Sequence, residues 1–376
     1  MKDVFLAFTP YHILLACALI FDMEQSSEID LIIFRDFFEA DKFANSIAKT
    51  EIADRADIYI RKGTYESRTY NSYIQRFIRK DSELNIQQEN IRFIKNYFKE
   101  NPDIHIVYSF NDARGECQLA YYLNKKRGGT NIYVEDGFAV YSTQTSPSPS
   151  IAGRVYNRVY NSPWHQFIKY HGGYKYTSKI MCLKPSLIRD ELKCKPIQEI
   201  SRKTLCNLKK NSITDILLHD YRFSRHKNID TLIILPHSEF LQQHSYFEPY
   251  VDLIEKILAI TEDLGMGVYV KYHPREKNYF LQSIDRSVEL IPQGLPAEAL
   301  FLHLVNYNPK LLLGDISTSL LTGKIICEST SVVSLLNLYG KDYFNTSDFM
   351  IKAGIFVPSN IHELKLHIID ILNEGL

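Results

Sequence analysis

The 376 residues carry 44 Lys and Arg against 44 Asp and Glu, so no overall field draws the chain to nucleic acid. Hydrophobic residues make up 45% and charged residues 23%, which excludes a disordered or fibrous chain. The length predicts two domains rather than one.

The chain opens on the strand-like run Val4-Phe5-Leu6-Ala7-Phe8. Pro10 suits the first turn of a helix, expected over residues 10–21. Strands at 29–34, 57–60, 104–108 and 131–134 alternate with helices at 38–48, 73–78, 87–100 and 116–125. That alternation implies parallel pairing in a doubly wound sheet. Residues 143–150, Thr-Gln-Thr-Ser-Pro-Ser-Pro-Ser, carry the chemistry of a loop or linker. From Arg154 to Lys227, sixteen Lys and Arg stand against five Asp and Glu, and periodicity is weak. This stretch reads either as solvated surface or as a face for anionic lipid headgroups or an acidic glycan.

A second alternating unit begins near Asp230. Strands are expected at 231–235 and 267–272, a helix at 249–263, and short apolar elements at 288–291, 310–313 and 332–336. A closing amphipathic helix at 360–372 has Asn360 as its N-cap. The expected fold is α/β, with two Rossmann-like domains, 1–225 and 226–376, facing a central cleft. Residues 151–225 are the part that pattern resolves least.

The six Cys are scattered without zinc-ligand spacing, as expected of reduced thiols. No segment reads as a signal peptide, and none reaches the roughly 18 apolar residues of a membrane span. The expected location is the cytoplasm or the inner face of the inner membrane.

Three polar signals lie at strand ends, where ligands of such sheets bind. Glu135-Asp136-Gly137 offers either an ordinary acidic turn or a general base, with Gly137 allowing a sharp turn. In Lys271-Tyr272-His273-Pro274, Pro274 restricts the His273 backbone, and Lys271 could attract phosphate. The turn Ser317-Thr318-Ser319 reads as a helix cap or as a phosphate cradle at a helix N-terminus.

In this order, acid-acid-Gly, Lys-x-His-Pro and a hydroxyl pair before Leu320, the motifs resemble the bacterial sialyltransferases. These are the lipooligosaccharide sialyltransferases of glycosyltransferase family 52 and the related capsular polysialyltransferases. Phe8-Thr9-Pro10-Tyr11-His12 is similar to the first group's Thr-Pro start. Leu295-Pro296-Ala297-Glu298 resembles a segment with a ribose-binding Glu, and Leu235-Pro236-His237-Ser238 stands where another donor-side loop belongs. Thr318-Ser319 in place of two Ser is a departure, and nothing between Ser150 and Asp230 carries the resemblance.

The resemblance implies a GT-B fold and an inverting transfer of sialic acid, or a related nonulosonate, from a CMP donor to a lipooligosaccharide or capsular glycan. No metal or other cofactor is implied. Glu135 is then the base and His273 the acid, supported by Asp136 and Gly137. Lys271, Pro274, Glu298, Ser317, Thr318, Ser319, His237 and Ser238 would bind CMP. Tyr11, His12, Asp112 and Arg114 would lie toward the acceptor, although helix capping by the Asp112-Ala113-Arg114-Gly115-Glu116 segment is the blander account. A Kdo transferase, a CDP-polyol phosphotransferase and a nucleotide- or glycan-binding protein on a transferase scaffold are the alternatives. Contact with an anionic inner membrane and a homodimer are left open.

The chemistry suits these residue types. A phosphate leaving group has a second pKa of about 6 and His one near 6.5, so the imidazole can share a proton as charge develops. An oxocarbenium-like transition state needs only a carboxylate to take the acceptor proton.

Overall fold

The structure is a computed structural model that describes residues 1–24, 27–64, 83–142, 145, 163–223, 229–283, 288–305, 309–315, 317–340 and 346–374. The expected helix at 73–78, the 143–150 loop apart from Thr145, and Arg154, Arg158, Arg225 and Lys227 lie outside these residues. The chain divides into two compact units, Met1–Ser212 and Ile213–Leu376.

The first unit is built on strands β1 (Lys2–Ala7), β2 (Glu28–Arg35), β3 (Asp57–Lys62), β4 (Ile104–Ser109), β5 (Thr130–Val134), β6 (Lys179–Cys182) and β7 (Ile197–Glu199). They form one parallel sheet in the order β3-β2-β1-β4-β5-β6-β7. Val4, Phe5 and Leu6 are wholly buried, the continuous apolar run that a strand covered on both faces requires. The helices are α1 (Pro10–Asp22), α2 (Ala40–Ala48), α3 (Glu83–Glu100), α4 (Gly115–Lys126) and α5 (Arg202–Lys210). Val4, Leu6 and Phe34 pack with Phe98, Tyr121, Trp164 and Tyr174 in one core layer. The Thr9 hydroxyl caps α1 by accepting the His12 N–H at 3.2 Å. α1 packs against α5, where Asn207 donates to Asp22. Strand order reverses between β1 and β4, so the carboxyl ends of these strands frame a binding position.

The second unit holds α6 (Ile213–Asp220), β8 (Thr231–Ile234), α7 (Ser238–Gln243), α8 (Phe247–Asp263), β9 (Val268–Lys271), β10 (Glu289–Leu290), α9 (Ala297–Leu304), β11 (Leu311–Gly314), α10 (Thr318–Ile326), β12 (Ser331–Ser334), α11 (Leu336–Tyr339), α12 (Thr346–Lys352) and α13 (Ile361–Glu374). Its sheet is also parallel, in the order β10-β9-β8-β11-β12, with the reversal between β8 and β11. Ile233, Val270, Leu313 and Val333 from the sheet pack with Tyr250, Ile254, Leu364 and Ile368 from α8 and α13. Asn360 Oδ1 accepts the Glu363 N–H at 2.9 Å, the cap expected for α13.

The short apolar run at 332–336 divides between two elements: β12 ends at Ser334, and Leu336 begins α11. The weakly periodic stretch contains β6, β7, α5 and α6, and α6 packs against α9 within the second unit. Among the described residues no helix is long and apolar enough to cross a membrane.

Candidate active site

Glu135 follows β5 directly and is wholly buried. Its backbone N–H donates to Met181 O at 2.9 Å, extending the β5–β6 ladder by one bond. Three donors reach its carboxylate. The Tyr11 hydroxyl donates to Oε1 at 2.7 Å, and the Leu183 N–H to Oε2 at 2.6 Å. The Tyr141 hydroxyl also donates to Oε2. Burial disfavours the charged form, and these donors oppose it only in part, so the pKa is raised to about 7. Gly137 has φ near +110°, a conformation closed to most side chains, so the sharp turn expected after the two acids is present.

Asp136 points to a residue outside the sequence motifs. His171 Nδ1 lies 3.3 Å from Asp136 Oδ2 and 3.9 Å from Asp112 Oδ1. Burial raises the pKa of both carboxyls, and His171 draws both back down. Asp112 does not cap a helix. It accepts the Gly172 N–H at 3.1 Å and the Tyr174 N–H at 2.8 Å, fixing the loop that carries His171. Arg114 occupies the N-cap position of α4 without a capping hydrogen bond. It pairs with Asp36 at 3.1 Å and lies over the Phe8 ring. The capping account of this segment is therefore corrected: its side chains reach across the unit. His12 is buried and stacked on Phe110, and its Nδ1 accepts the Phe8 N–H at 3.3 Å. Burial, then the neighbouring His171, lowers its pKa to about 3, so it stands as a neutral ring in the core. Part of the basic excess is also internal. Lys195 donates to Gly172 O and Tyr174 O, each at 2.9 Å, and Arg189 lies over Tyr170 while pairing with Glu191.

In the second unit, His273 follows β9 and His237 follows β8, with ring centroids 5.2 Å apart. His273 Nδ1 accepts the Arg275 N–H at 3.2 Å, so the neutral ring carries its proton on Nε2. Burial, then His237, Arg275 and Lys271, lowers its pKa to about 4, well below the 6.5 expected from sequence. Two side chains hold the two loops. Gln293 Nε2 donates to the carbonyls of His273 (2.9 Å), Pro274 (3.2 Å) and Glu276 (2.8 Å). Glu276 accepts the Ser238 N–H and hydroxyl at 2.7 Å each, and the Lys277 and Asn278 N–H groups at 2.9 and 2.8 Å.

Burial pushes the Glu276 carboxyl up, but these donors outweigh it and leave its pKa below the usual value. Its stabilising contribution is therefore present above the unfolded pKa and lost as pH falls through the folded one. Glu276→Ala strands several buried donors and is expected to cost about 2–3 kcal/mol at neutral pH, read from urea unfolding. An unchanged unfolding midpoint would contradict the clamp.

Lys271 is buried and donates to Gln293 O at 2.9 Å. Burial lowers its pKa to about 8 against the pull of Glu298, and burial raises that of Glu298. Thr322 donates to Glu298 Oε1 at 3.5 Å. Ser317 is the N-cap of α10, its hydroxyl accepting the Ser319 N–H at 3.1 Å; Thr318 and Ser319 form the first turn. The capping reading of that turn is thus the one the hydrogen bonds show, and a capped helix start keeps its dipole.

The sequence motifs thus fall into one group per unit, each at the carboxyl ends of a parallel sheet. Sequence reasoning missed Tyr141, His171, Glu276 and Gln293. Only His171-Gly172-Gly173 left a local trace, a histidine before a glycine pair. Among the described residues no group of three or more His, Cys, Asp or Glu could hold a metal ion.

A family model described as alpha-2,8-polysialyltransferase (POLYST) matches residues 3–336. The chain belongs to this family. As a polysialyltransferase-family member it is a glycosyltransferase, and the sialyltransferase resemblance of its motifs is borne out. Comparison with curated proteins finds no match. Among solved structures, the *Methanocaldococcus jannaschii* UDP-GlcNAc 2-epimerase in complex with UDP-GlcNAc and UDP aligns with a TM-score of 0.57 at 14% identity, covering 99% of this chain and 93% of that one. The alpha/beta-galactoside alpha-2,3-sialyltransferase from *Photobacterium phosphoreum* aligns with a TM-score of 0.52 at 13% identity, covering 95% and 98%. These likenesses show the fold: the polysialyltransferase-family chain has the GT-B architecture expected from its two doubly wound sheets.

Proposed function

We propose that this glycosyltransferase moves a sialic-acid-type sugar from a CMP-linked donor to a hydroxyl of a bacterial surface glycan, with inversion and without a divalent metal. Glu135 is the base and His273 the acid. The observation that carries the reading is the Glu135 carboxyl, held at the end of β5 with a pKa of about 7. A base with that pKa is part-ionised near neutrality and still basic enough to take a proton. The acceptor hydroxyl takes the place of the Tyr11 hydroxyl on Oε1, while Tyr141 and Leu183 hold Oε2.

On the donor side, His273 presents Nε2–H to the leaving phosphate. Ser317, Thr318 and Ser319 supply hydroxyls and a helix start for its charge. Glu298 contacts the ribose, and Lys271 adds positive charge behind the strand end. His237, Ser238 and Pro274 shape the two loops around the nucleotide. This arrangement offers the phosphate a proton and a dipole where other nucleotide-sugar enzymes use a cation.

The test is a thermal-shift panel of CMP, CDP, UDP and GDP, followed by CMP release from CMP-sialic acid with EDTA present. Mass action predicts selective stabilisation by CMP, about 2.7 kcal/mol at a hundredfold excess over Kd. Stabilisation by CDP alone, with turnover of a CDP-polyol, would replace this reading. Loss of turnover in EDTA would remove its metal-free part.

A further inference from the structure

The His171 loop is held more firmly than a surface loop needs. Asp112 takes the N–H groups of Gly172 and Tyr174, and Lys195 donates to the carbonyls of the same two residues. The Tyr174 hydroxyl donates to Gln118 O at 3.1 Å and also to Trp164 O. Gly172 has φ near +82°, and a Cβ there would lie 3.2 Å from Leu192. Yet the ring between these restraints is uncommitted. Its Nδ1 lies within ion-pair distance of both Asp136 and Asp112 but has no aligned hydrogen bond to either.

Asp136 Oδ1 is buried, and the buried Tyr133 hydroxyl beside Asp136 helps to draw that carboxyl's pKa down through a hydrogen bond. The His171 side chain keeps 24% of its surface exposed, so the ring can be reached from outside. Polar groups that are positioned but loosely aligned without substrate are what a site that tightens on binding displays.

We infer that His171 and Asp136 form a hydroxyl-recognition pair for the acceptor glycan, next to Glu135, and that Asp112 and Lys195 exist to aim the His171 ring. The inference rests on the glycosyltransfer reading above. With Nδ1–H turned to Asp136 Oδ2, Nε2 of His171 accepts a sugar hydroxyl. A carboxylate–imidazole pair of this kind fixes the tautomer and the ring direction together. Recognition of a hydroxyl by an aimed ring nitrogen suits a polyhydroxylated acceptor sugar and does not touch the nucleotide.

The test measures initial rates of the full chain with CMP-sialic acid and an α2,8-linked sialic-acid oligomer, each varied at saturating levels of the other. His171→Phe should raise the acceptor KM about tenfold to a hundredfold, the loss expected for a polar contact to a charged or pre-aligned group. The donor KM should stay where it is. His171→Gln, whose amide oxygen reaches the Nε2 position and can accept the same sugar hydroxyl, should recover most of the acceptor KM. A thermal melt of each variant establishes that it folds. Donor and acceptor KM rising together, or a folded His171→Phe with the wild-type acceptor KM, would overturn the pair. Wild-type chain that turns over no CMP-sialic acid would instead overturn the functional reading itself.

Discussion

Glu135→Gln is expected to lower the transfer rate about a thousandfold, within the span of 10²–10⁴ ascribed to a positioned general base. The substitution keeps the side-chain shape and leaves the second unit untouched, so stabilisation by CMP should survive. The pH profile follows from the sign of the shift. Glu135 acts only when deprotonated, and its pKa is raised to about 7, so kcat, read in the donor complex where the phosphate keeps His273 protonated, should climb with pH towards neutrality. In the Gln variant the residual rate should lose that limb. A rate flat from pH 5.5 to 8.5, in steps of about one pKa unit, would remove Glu135 from the mechanism.

The same residue gives a stability signature independent of turnover. The folded chain holds the Glu135 proton more tightly than the unfolded chain does. Its contribution is therefore complete below the unfolded pKa of 4.5 and is lost as pH rises through 7. The loss is roughly 3 kcal/mol, at 1.36 kcal/mol per pKa unit. Wild type should accordingly lose stability relative to Glu135→Gln between pH 4.5 and 7, visible as a change in the difference of their Tm values.

Much of the fold was legible because central strands of a parallel sheet are buried on both faces and read as apolar runs. β1, β2, β4 and β8 stand close to where hydropathy puts them. The motifs at strand ends were legible for a related reason: Gly137 and Pro274 mark where the backbone must turn, and polar residues beside them stand out. The stretch from Trp164 to Tyr221 was not legible, because β6 and β7 are short and β7 is largely exposed, leaving no run to read. His171 was hidden for a different reason. Its meaning depends on Asp112, about 60 positions away in sequence, and on Asp136 beyond β5. Gln293 and Glu276 were hidden likewise, since a clamp made of backbone carbonyls and N–H groups leaves no composition signal.

His273 carries the other large expected effect, and the reason lies in its environment. In the chain alone its pKa is lowered to about 4, so at neutral pH the ring is uncharged, with its proton on Nε2. A base near 7 and an acid near 4 leave very little free enzyme with both groups correctly protonated. A phosphate brought against Nε2 changes that balance, because an opposite charge within about 4–6 Å favours the protonated ring. The donor thereby prepares its own acid. Since kcat/KM reports the free chain and kcat the complex, the alkaline limb assigned to His273 should lie at higher pH in kcat than in kcat/KM. His273→Ala should reduce kcat by about 10²–10⁴ and abolish the difference between the two profiles. His273→Gln, which keeps an N–H for the phosphate but cannot transfer its proton, should restore donor KM without restoring kcat. If His273→Ala kept kcat while only donor KM rose, the imidazole would be a binding group, and departure of the phosphate would need no proton from this chain.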